Sequence, residues 1–117
     1  MILLEKSKYR VRIAQTDQDI ITCQSLRFKA FGMTHKSGLD RDTFDPVSQH
    51  VMIEHIQSNT LVSCFRMAVF PSAETIERSY AAQFYALERL TTYRGALLEI
   101  GRFCIAPDQA NKDESDI

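Results

Sequence analysis

A glutamate and an arginine interrupt the most apolar stretch of the chain, Leu97–Ile105. Glu99 and Arg102 are three residues apart, so in a regular strand their side chains would point to opposite faces. Gly101 lies between them and predicts a β-bulge, whose extra residue would bring both side chains to one side. A carboxylate in such a setting is a candidate general base. The alternative is a structural ion pair on a partly exposed face.

Two more arginines fall on apolar faces. Arg27 lies in the middle of a helical stripe of apolar residues, namely Ile20, Cys23, Leu26, Ala30 and Phe31. Arg66 is the one charge on a strand face formed by Val62, Cys64, Ala68 and Phe70. A buried guanidinium has to be paired, because an unpaired charge in the interior costs several kcal/mol (roughly 3–5). Two alternatives stay open: Arg27 could snorkel at the edge of the core, and the face around Arg66 could meet solvent.

An acidic run, Asp40-Arg41-Asp42-Thr43-Phe44-Asp45, offers partners for these arginines. We predict that Arg27 pairs with Asp42 or Asp45. Spaced acids could also suggest calcium, but the run lacks the glycine and the terminal glutamate of an EF-hand loop. The ordinary outcome for such a run is a solvated turn.

Neither a metal site nor a bound cofactor is expected. The three cysteines, Cys23, Cys64 and Cys104, are far apart in sequence and contain no CxxC pair. Cys104 is expected to be a buried, inert thiol. His50 and His55 are five apart on a strand and so face opposite ways. The cysteine usage favours a reducing cytoplasm.

The elements that must position these residues follow from periodicity and turn signals. We predict strands at 8–14, 49–56, 60–70 and 97–105, a helix at 17–32, a polar loop at 34–48, a turn at 57–59, an uneven helical stretch at 71–90, and the first turn of a helix at 111–117. The result is an α/β (α+β) domain with a mixed, mostly antiparallel sheet flanked by helices.

Size and composition exclude several classes. A chain of 117 residues with 44% hydrophobic and 25% charged residues is one globular domain. Its net charge of −1 argues against nucleic-acid binding. No apolar run approaches the roughly 20 residues of a membrane span.

Four motifs together resemble the first half of GNAT-like acyltransferases that take acyl chains from acyl carrier protein. They are Leu26-Arg27 with Phe31, the acids Asp40, Asp42 and Asp45 around Phe44, the strand residue Arg66, and Glu99-Ile100-Gly101-Arg102-Phe103. One branch contains N-acyl amino acid synthases, including the ornithine N-acyltransferases, often labelled hemolysin-like. The other contains acyl-homoserine-lactone synthases. The chain has no tryptophan and carries the segment 38–45 followed by His50, which favours the ornithine branch.

The resemblance implies a GNAT-like fold and transfer of a (3-hydroxy)fatty acyl group to the α-amine of an amino acid, with ornithine the favoured acceptor. Glu99 would be the base, and backbone N–H groups near Phe103 and Cys104 would meet the oxyanion. Arg102 or Arg66 would bind the acceptor's carboxylate. The remaining motif residues would form a structural and electrostatic cluster: Arg27, Phe31, Asp40, Asp42 and Asp45.

The implied donor is the phosphopantetheine thioester of acyl carrier protein. Lys6, Lys8, Arg10 and Arg12 could receive that acidic protein, although basic residues on an edge strand usually only discourage edge pairing. The expected location is the cytoplasm, with peripheral contact with the inner membrane as an option.

Family members continue beyond the motifs present here, so we expect a single, truncated domain over 1–117 that is inactive by itself. The unpaired edge of strand 97–105 predicts a homo-oligomer. Two alternatives are a lactone synthase and a non-catalytic fragment that folds only as an oligomer.

Overall fold

The strands pair in the order in which they follow one another along the chain. The structure is a computed structural model that describes residues 1–87, 90 and 94–108. Its regular elements are β1 Ile2–Lys6, β2 Tyr9–Ile13, α1 Asp17–Ala30, β3 Gln49–His55, β4 Thr60–Phe70 and β5 Leu97–Ile105. The sheet order is β1-β2-β3-β4-β5, and each described pair of neighbours is antiparallel. This sheet with its helix is the α/β arrangement that the sequence predicts.

Helix α1 is well delimited by its own sequence. The Thr16 side chain accepts the backbone N–H of Asp19, and the Asp19 side chain accepts the backbone N–H of Thr16, which forms a capping box. After the helix, Gly32 has a φ of 65°, a left-handed conformation that glycine adopts without strain. The predicted helix over 17–32 is therefore confirmed to within two residues.

One face of the sheet packs against α1 to form the core. Cys23 and Leu26 of the helix meet side chains of β3, β4 and the end of β5, namely Met52, Cys64, Cys104 and Ala106. The three cysteines, distant in sequence, thus converge at one place. All three are free and buried, which confirms that Cys104 is buried, as predicted. The thiols of Cys64 and Cys104 lie 3.7 Å apart on neighbouring strands.

Two predictions about the elements are wrong. The residues 2–6 form a strand that the sequence did not reveal, so Leu97–Ile105 is the fifth strand and not the fourth. The stretch after Phe70 contains only 3-10 turns, Ala73–Arg78 and Ala81–Gln83, in its described part. Ser79 between them is extended and interrupts the helical path. The predicted helix start at 111–117 lies outside the described residues.

Strand β5 contains the bulge that Gly101 predicts. Cys64 pairs with Cys104 and Arg66 pairs with Gly101, so Phe65 alone faces two residues, Arg102 and Phe103. Arg102 has a φ of 54°, an unusual left-handed conformation for a residue with a side chain. The bulge turns the arginine toward the helix side of the sheet.

Strand β5 is an edge of the described sheet, with β4 as its neighbour. Leu98 and Ile100 on this strand are exposed. In the described part of the chain, no helix is both long and apolar enough to cross a bilayer.

Candidate active site

Arg27 is fully buried between two aspartates of the loop that follows its helix. Its side chain is 1% exposed. The Nε group donates to Asp40 Oδ2 at 2.8 Å, and the two Nη groups donate to Asp45 at 2.9 and 2.8 Å. Nη2 also donates to the backbone carbonyl of Asp40. This pairing excludes the snorkelling alternative.

Arg66 makes a second set of ion pairs from the middle of β4. It binds Asp42 in bidentate fashion, with N–O distances of 2.7 and 3.0 Å, and it reaches Asp45 at 2.9 Å. The guanidinium is buried, so the face around Arg66 does not meet solvent. Bidentate pairing fixes the orientation of a guanidinium as well as its position.

Arg102 joins the two sets from the bulge of β5. Its Nε lies 3.4 Å from Asp40 Oδ2, and its Nη2 lies 3.7 Å from Asp42 Oδ2. Three arginines and three aspartates therefore alternate around a closed circuit: Arg27, Asp45, Arg66, Asp42, Arg102 and Asp40. We call these six residues the charge ring.

Attraction outweighs the cost of burial within the charge ring. Burial disfavours the ionised form of Asp45, but hydrogen bonds from Arg27 and Gln24 hold its pKa well below the ordinary range. Burial also raises the pKa of Asp42, but the hydrogen bonds and the charge of Arg66 lower it, so the pKa lies below its usual value. Burial opposes the charge on Arg27 and Arg66, yet their carboxylate partners raise both pKa values.

The predicted partners of Arg27 are half confirmed. Asp45 is a partner, as expected, but Asp42 binds Arg66, and the second partner of Arg27 is Asp40. The acidic run is therefore not a solvated turn. Among residues 1–87, 90 and 94–108, no group of three or more His, Cys, Asp or Glu side chains is placed to hold a metal ion.

Two supporting residues escaped the sequence analysis. Gln24 donates from its side chain to Asp45 Oδ2 at 2.9 Å, and buried His50 has its Nε2 3.0 Å from the Asp45 carbonyl oxygen. Gln24 lies one helical turn before Arg27, and this i, i+3 spacing was the available signal. A polar residue beside a buried arginine is a candidate for the same network.

Glu99 has backbone partners in place of an ion pair. Its two carboxylate oxygens accept the N–H groups of Tyr80 at 3.0 Å and Ala81 at 2.9 Å. Arg102 instead contacts Asp40 and Asp42, so the alternative of a Glu99–Arg102 ion pair is wrong. The bulge does bring both side chains to the same cavity, as predicted.

That cavity has a volume of about 830 Å³ and joins polar and apolar groups. Glu99 and three arginines contribute its charges, namely Arg66, Arg78 and Arg102. Its apolar wall includes Phe44, Val47, Phe70, Phe84, Ile100 and Phe103. A few convergent charged groups beside an apolar wall are typical of a substrate site.

Phe31 belongs to this wall and not to the core stripe in which the helical wheel places it. It follows the last residue of α1 and is 42% exposed. The guanidinium of Arg102 lies 5.7 Å from its ring centre, within the range of a cation–π contact. The helix ends at Ala30, so the wheel no longer applies at Phe31.

Comparison with known proteins agrees with this geometry. Residues 23–116 match the model of the acetyltransferase (GNAT) domain. The chain belongs to the GNAT family. The predicted resemblance is thereby confirmed, and the matched part of this GNAT domain includes every residue of the charge ring.

Two curated relatives of the GNAT domain are named L-ornithine N(alpha)-acyltransferase. The protein from Rhodobacter capsulatus is 31% identical over 114 residues, which cover 86% of this chain and 44% of that protein. The protein from Brucella abortus is 29% identical over an alignment of 131 positions, and the alignment covers 96% of this chain and 46% of that protein. The chain spans about half the length of the curated relatives it matches. No solved structure matches it significantly.

At the bulge of the GNAT domain, Phe103 and Cys104 lie in different surroundings. Phe103 is exposed and lines the cavity. Cys104 is buried in the core, and the Ser63 hydroxyl donates to its carbonyl oxygen at 2.8 Å. The predicted contact of Cys104 with a substrate is therefore not supported, since Cys104 does not line the cavity.

The basic stretch of the GNAT domain is partly neutralised. Arg12 pairs with Glu54 at 2.7 Å and with Asp19 at 2.8 Å, and Arg10 pairs with Glu54 at 3.2 Å. Burial raises the pKa of Glu54, but Arg12 and Arg10 together lower it, so that it falls below its usual value. Arg10 and Arg12, which were among the cations proposed to attract acyl carrier protein, therefore have acidic partners within the chain.

Proposed function

We propose that the protein transfers a fatty acyl group from the thioester of acyl carrier protein to the α-amine of ornithine. The resemblance to the ornithine N-acyltransferases favours a 3-hydroxyacyl group. The observation that supports this most is the cavity where Glu99 and Arg102 meet an apolar wall. An acceptor with an amine and a carboxylate needs a base and a cation close together, and a fatty acyl group needs apolar surface. The names of the two relatives support the choice of ornithine.

In the proposed reaction, the amine attacks the thioester carbon directly. A C–N bond forms, the C–S bond breaks, and the phosphopantetheine sulfur leaves as a thiolate, which becomes the thiol when Glu99 passes on the proton taken from the amine. Glu99 takes a proton from the amine, either directly or through a water. The N–H groups of Tyr80 and Ala81 fix the carboxylate, and each oxygen keeps a second lone pair for the incoming proton.

Arg102 is the better of the two candidate ligands for the acceptor's carboxylate. Arg66 is buried, and both of its Nη groups are engaged by Asp42 and Asp45. The Arg102 side chain is 25% exposed, and its buried Nε has no hydrogen-bond partner among the described residues. A planar guanidinium with unused donors suits a carboxylate. The role of Arg66 is then to hold the loop of Asp42 and Asp45 in place.

The bulge supplies the remaining requirement, a site for the oxyanion. A bulge removes backbone groups from the ladder between strands. Phe103 lies at this irregularity and lines the cavity, so its N–H is the candidate donor, whereas Cys104 resumes the pairing with Cys64. Fixed backbone donors at such a point stabilise the negative charge of a tetrahedral intermediate.

Product identification tests the proposal. The full-length protein is incubated with 3-hydroxyacyl carrier protein and a panel of amino acids, and products are identified by mass spectrometry. We expect an α-N-acylated amino acid, formed fastest with ornithine. Consumption of S-adenosylmethionine with release of an acyl-homoserine lactone would instead establish the lactone-synthase branch, and transfer to no amine would overturn the proposal.

A further inference from the structure

We infer that Tyr80 is a positioning residue. It fixes the positions of Arg102 and Glu99 relative to each other, so that both can contact the acceptor. This inference rests on the proposed function of the cavity, which Tyr80 also lines. Tyr80 lies in the segment between the two 3-10 turns, far in sequence from the four family motifs. Neither the charge pattern nor the motifs indicated it.

The backbone of Tyr80 is tied to the candidate base. Its N–H donates to one oxygen of Glu99, and the next N–H, of Ala81, donates to the other oxygen. Two donors on two oxygens fix both the position and the rotation of a carboxylate. The segment around Tyr80 and the base therefore move as one unit.

The ring of Tyr80 contacts two of the three arginines that line the cavity. The guanidinium carbons of Arg66 and Arg102 each lie 5.2 Å from the ring centre. Both distances fall within the range of a cation–π contact, which is strongest where water is excluded. One side chain thus joins two members of the charge ring, and its backbone holds the base.

Arg102 depends on this contact more than Arg66 does. Arg66 has three hydrogen bonds of 2.7 to 3.0 Å to its aspartates. Within the described part of the chain, Arg102 has two longer ion-pair contacts, of 3.4 and 3.7 Å, and it has a strained left-handed backbone. The aromatic rings of Tyr80 and Phe31 also contact its guanidinium.

Tyr80 is itself held by neighbouring rings. Phe44 packs edge-on at 5.5 Å between centres, and Phe84 lies at 5.3 Å. Phe44 directly precedes Asp45 of the charge ring, so the position of Tyr80 is coupled to the loop that carries the aspartates. This arrangement predicts that loss of the ring weakens acceptor binding more than it lowers the stability of the fold.

The test compares three variants of the full-length protein. Tyr80→Leu removes the ring, and Tyr80→Phe keeps it. Phe28→Leu removes a ring of α1 that packs on His35 and does not line the cavity, and it is the control. Steady-state kinetics are measured separately for ornithine and for the acyl donor, and thermal unfolding is followed in parallel.

We expect Tyr80→Leu to raise KM for ornithine by about tenfold, the scale of one cation–π contact, with KM for the donor unchanged. Tyr80→Phe should stay within about twofold of the wild type, since the ring carries the interaction. An unchanged KM for ornithine in Tyr80→Leu would overturn the inference. So would a Tyr80→Phe variant as impaired as Tyr80→Leu.

A second readout does not depend on catalysis. An aromatic ring over a guanidinium shifts the NMR signals of the arginine Nε–Hε groups. In the 117-residue chain, we expect these shifts for Arg66 and Arg102 in the wild type and in Tyr80→Phe, and their loss in Tyr80→Leu. Shifts that persist in Tyr80→Leu would contradict the contact. A wild-type protein that acylates no amine would refute the proposed function, while this spectrum still decides whether Tyr80 holds the arginines.

Discussion

At the scale of single residues, the charge ring keeps three arginines inside a domain of this size by giving each of them two aspartates. Arg27 sits deepest, and its two carboxylates come from both ends of one acidic run. A paired buried charge contributes little net stability, but removal of one partner leaves the others uncompensated. The ring therefore acts mainly by fixing the acidic loop and Arg102 at the cavity.

Substitution of Arg27 measures this dependence. Arg27→Ala strands Asp40 and Asp45 and should lower the free energy of unfolding by about 3–5 kcal/mol. The control is Lys29→Ala, an exposed residue in the last turn of the same helix, with an expected change below about 0.5 kcal/mol. Urea unfolding gives both values. Similar, small changes in the two variants would mean that the pairs are not buried in solution.

Acid should destabilise the domain through the same ring. Because folding lowers the pKa values of Asp45 and Asp42, the unfolded chain binds more protons than the folded chain in acid. Their stabilisation is complete above the unfolded pKa of about 4 and is lost as the pH falls toward the folded values. Urea melts between pH 7 and pH 2 should show this decline, and Asp45→Asn should make it shallower. A slope in Asp45→Asn equal to that of the wild type would exclude Asp45 as a source.

At the scale of elements, the sequence predicted correctly the features that depend on neighbouring residues, namely the helix ends and the bulge. Helix α1 has its capping box and Gly32, and the Gly101 bulge lies where predicted. The aspartate partner of each arginine depends on how the acidic loop folds across the sheet. Spacing along the chain therefore does not predict it. The 3-10 turns around Tyr80 were mistaken for a helix because Glu99, about twenty residues later, takes two of the N–H groups.

The bulge of β5 predicts an unusual order of stability. Arg102→Gly and Arg102→Ala both remove the guanidinium, but only glycine accepts a φ of 54° without strain. Arg102→Gly should therefore be more stable than Arg102→Ala by about 0.5–1 kcal/mol, after the larger unfolded-state entropy of glycine is included. Thermal unfolding of the pair gives the difference. If the alanine variant is equally stable, Arg102 does not hold the left-handed conformation.

At the scale of the whole molecule, the sequence predicted four of the five strands but not their order, which follows the order along the chain. The strand β1 was missed, since four apolar residues followed by a charge at a terminus have no period of two. All large residues of β1 are exposed, so no buried face marked the strand either.

The exposed edge of β5 still predicts that the chain associates with itself. Leu98 is 55% exposed there and does not line the cavity, so it can be changed without effect on the site. We expect the 117-residue chain to form dimers or larger assemblies in light scattering, and Leu98→Lys to weaken them, because a lysine on an edge opposes pairing. A wild-type monomer at high concentration with cooperative unfolding would contradict this.

The rate of acyl transfer in Glu99→Gln tests the central claim most directly, namely that the cavity beside the charge ring is where an amine is acylated. The variant keeps the shape of the side chain and removes the proton acceptor. Single-turnover transfer to ornithine should fall by about 10²–10⁴-fold, while Glu77→Gln, an exposed glutamate of the preceding 3-10 turn, should match the wild type. Transfer by Glu99→Gln at the wild-type rate would contradict the account.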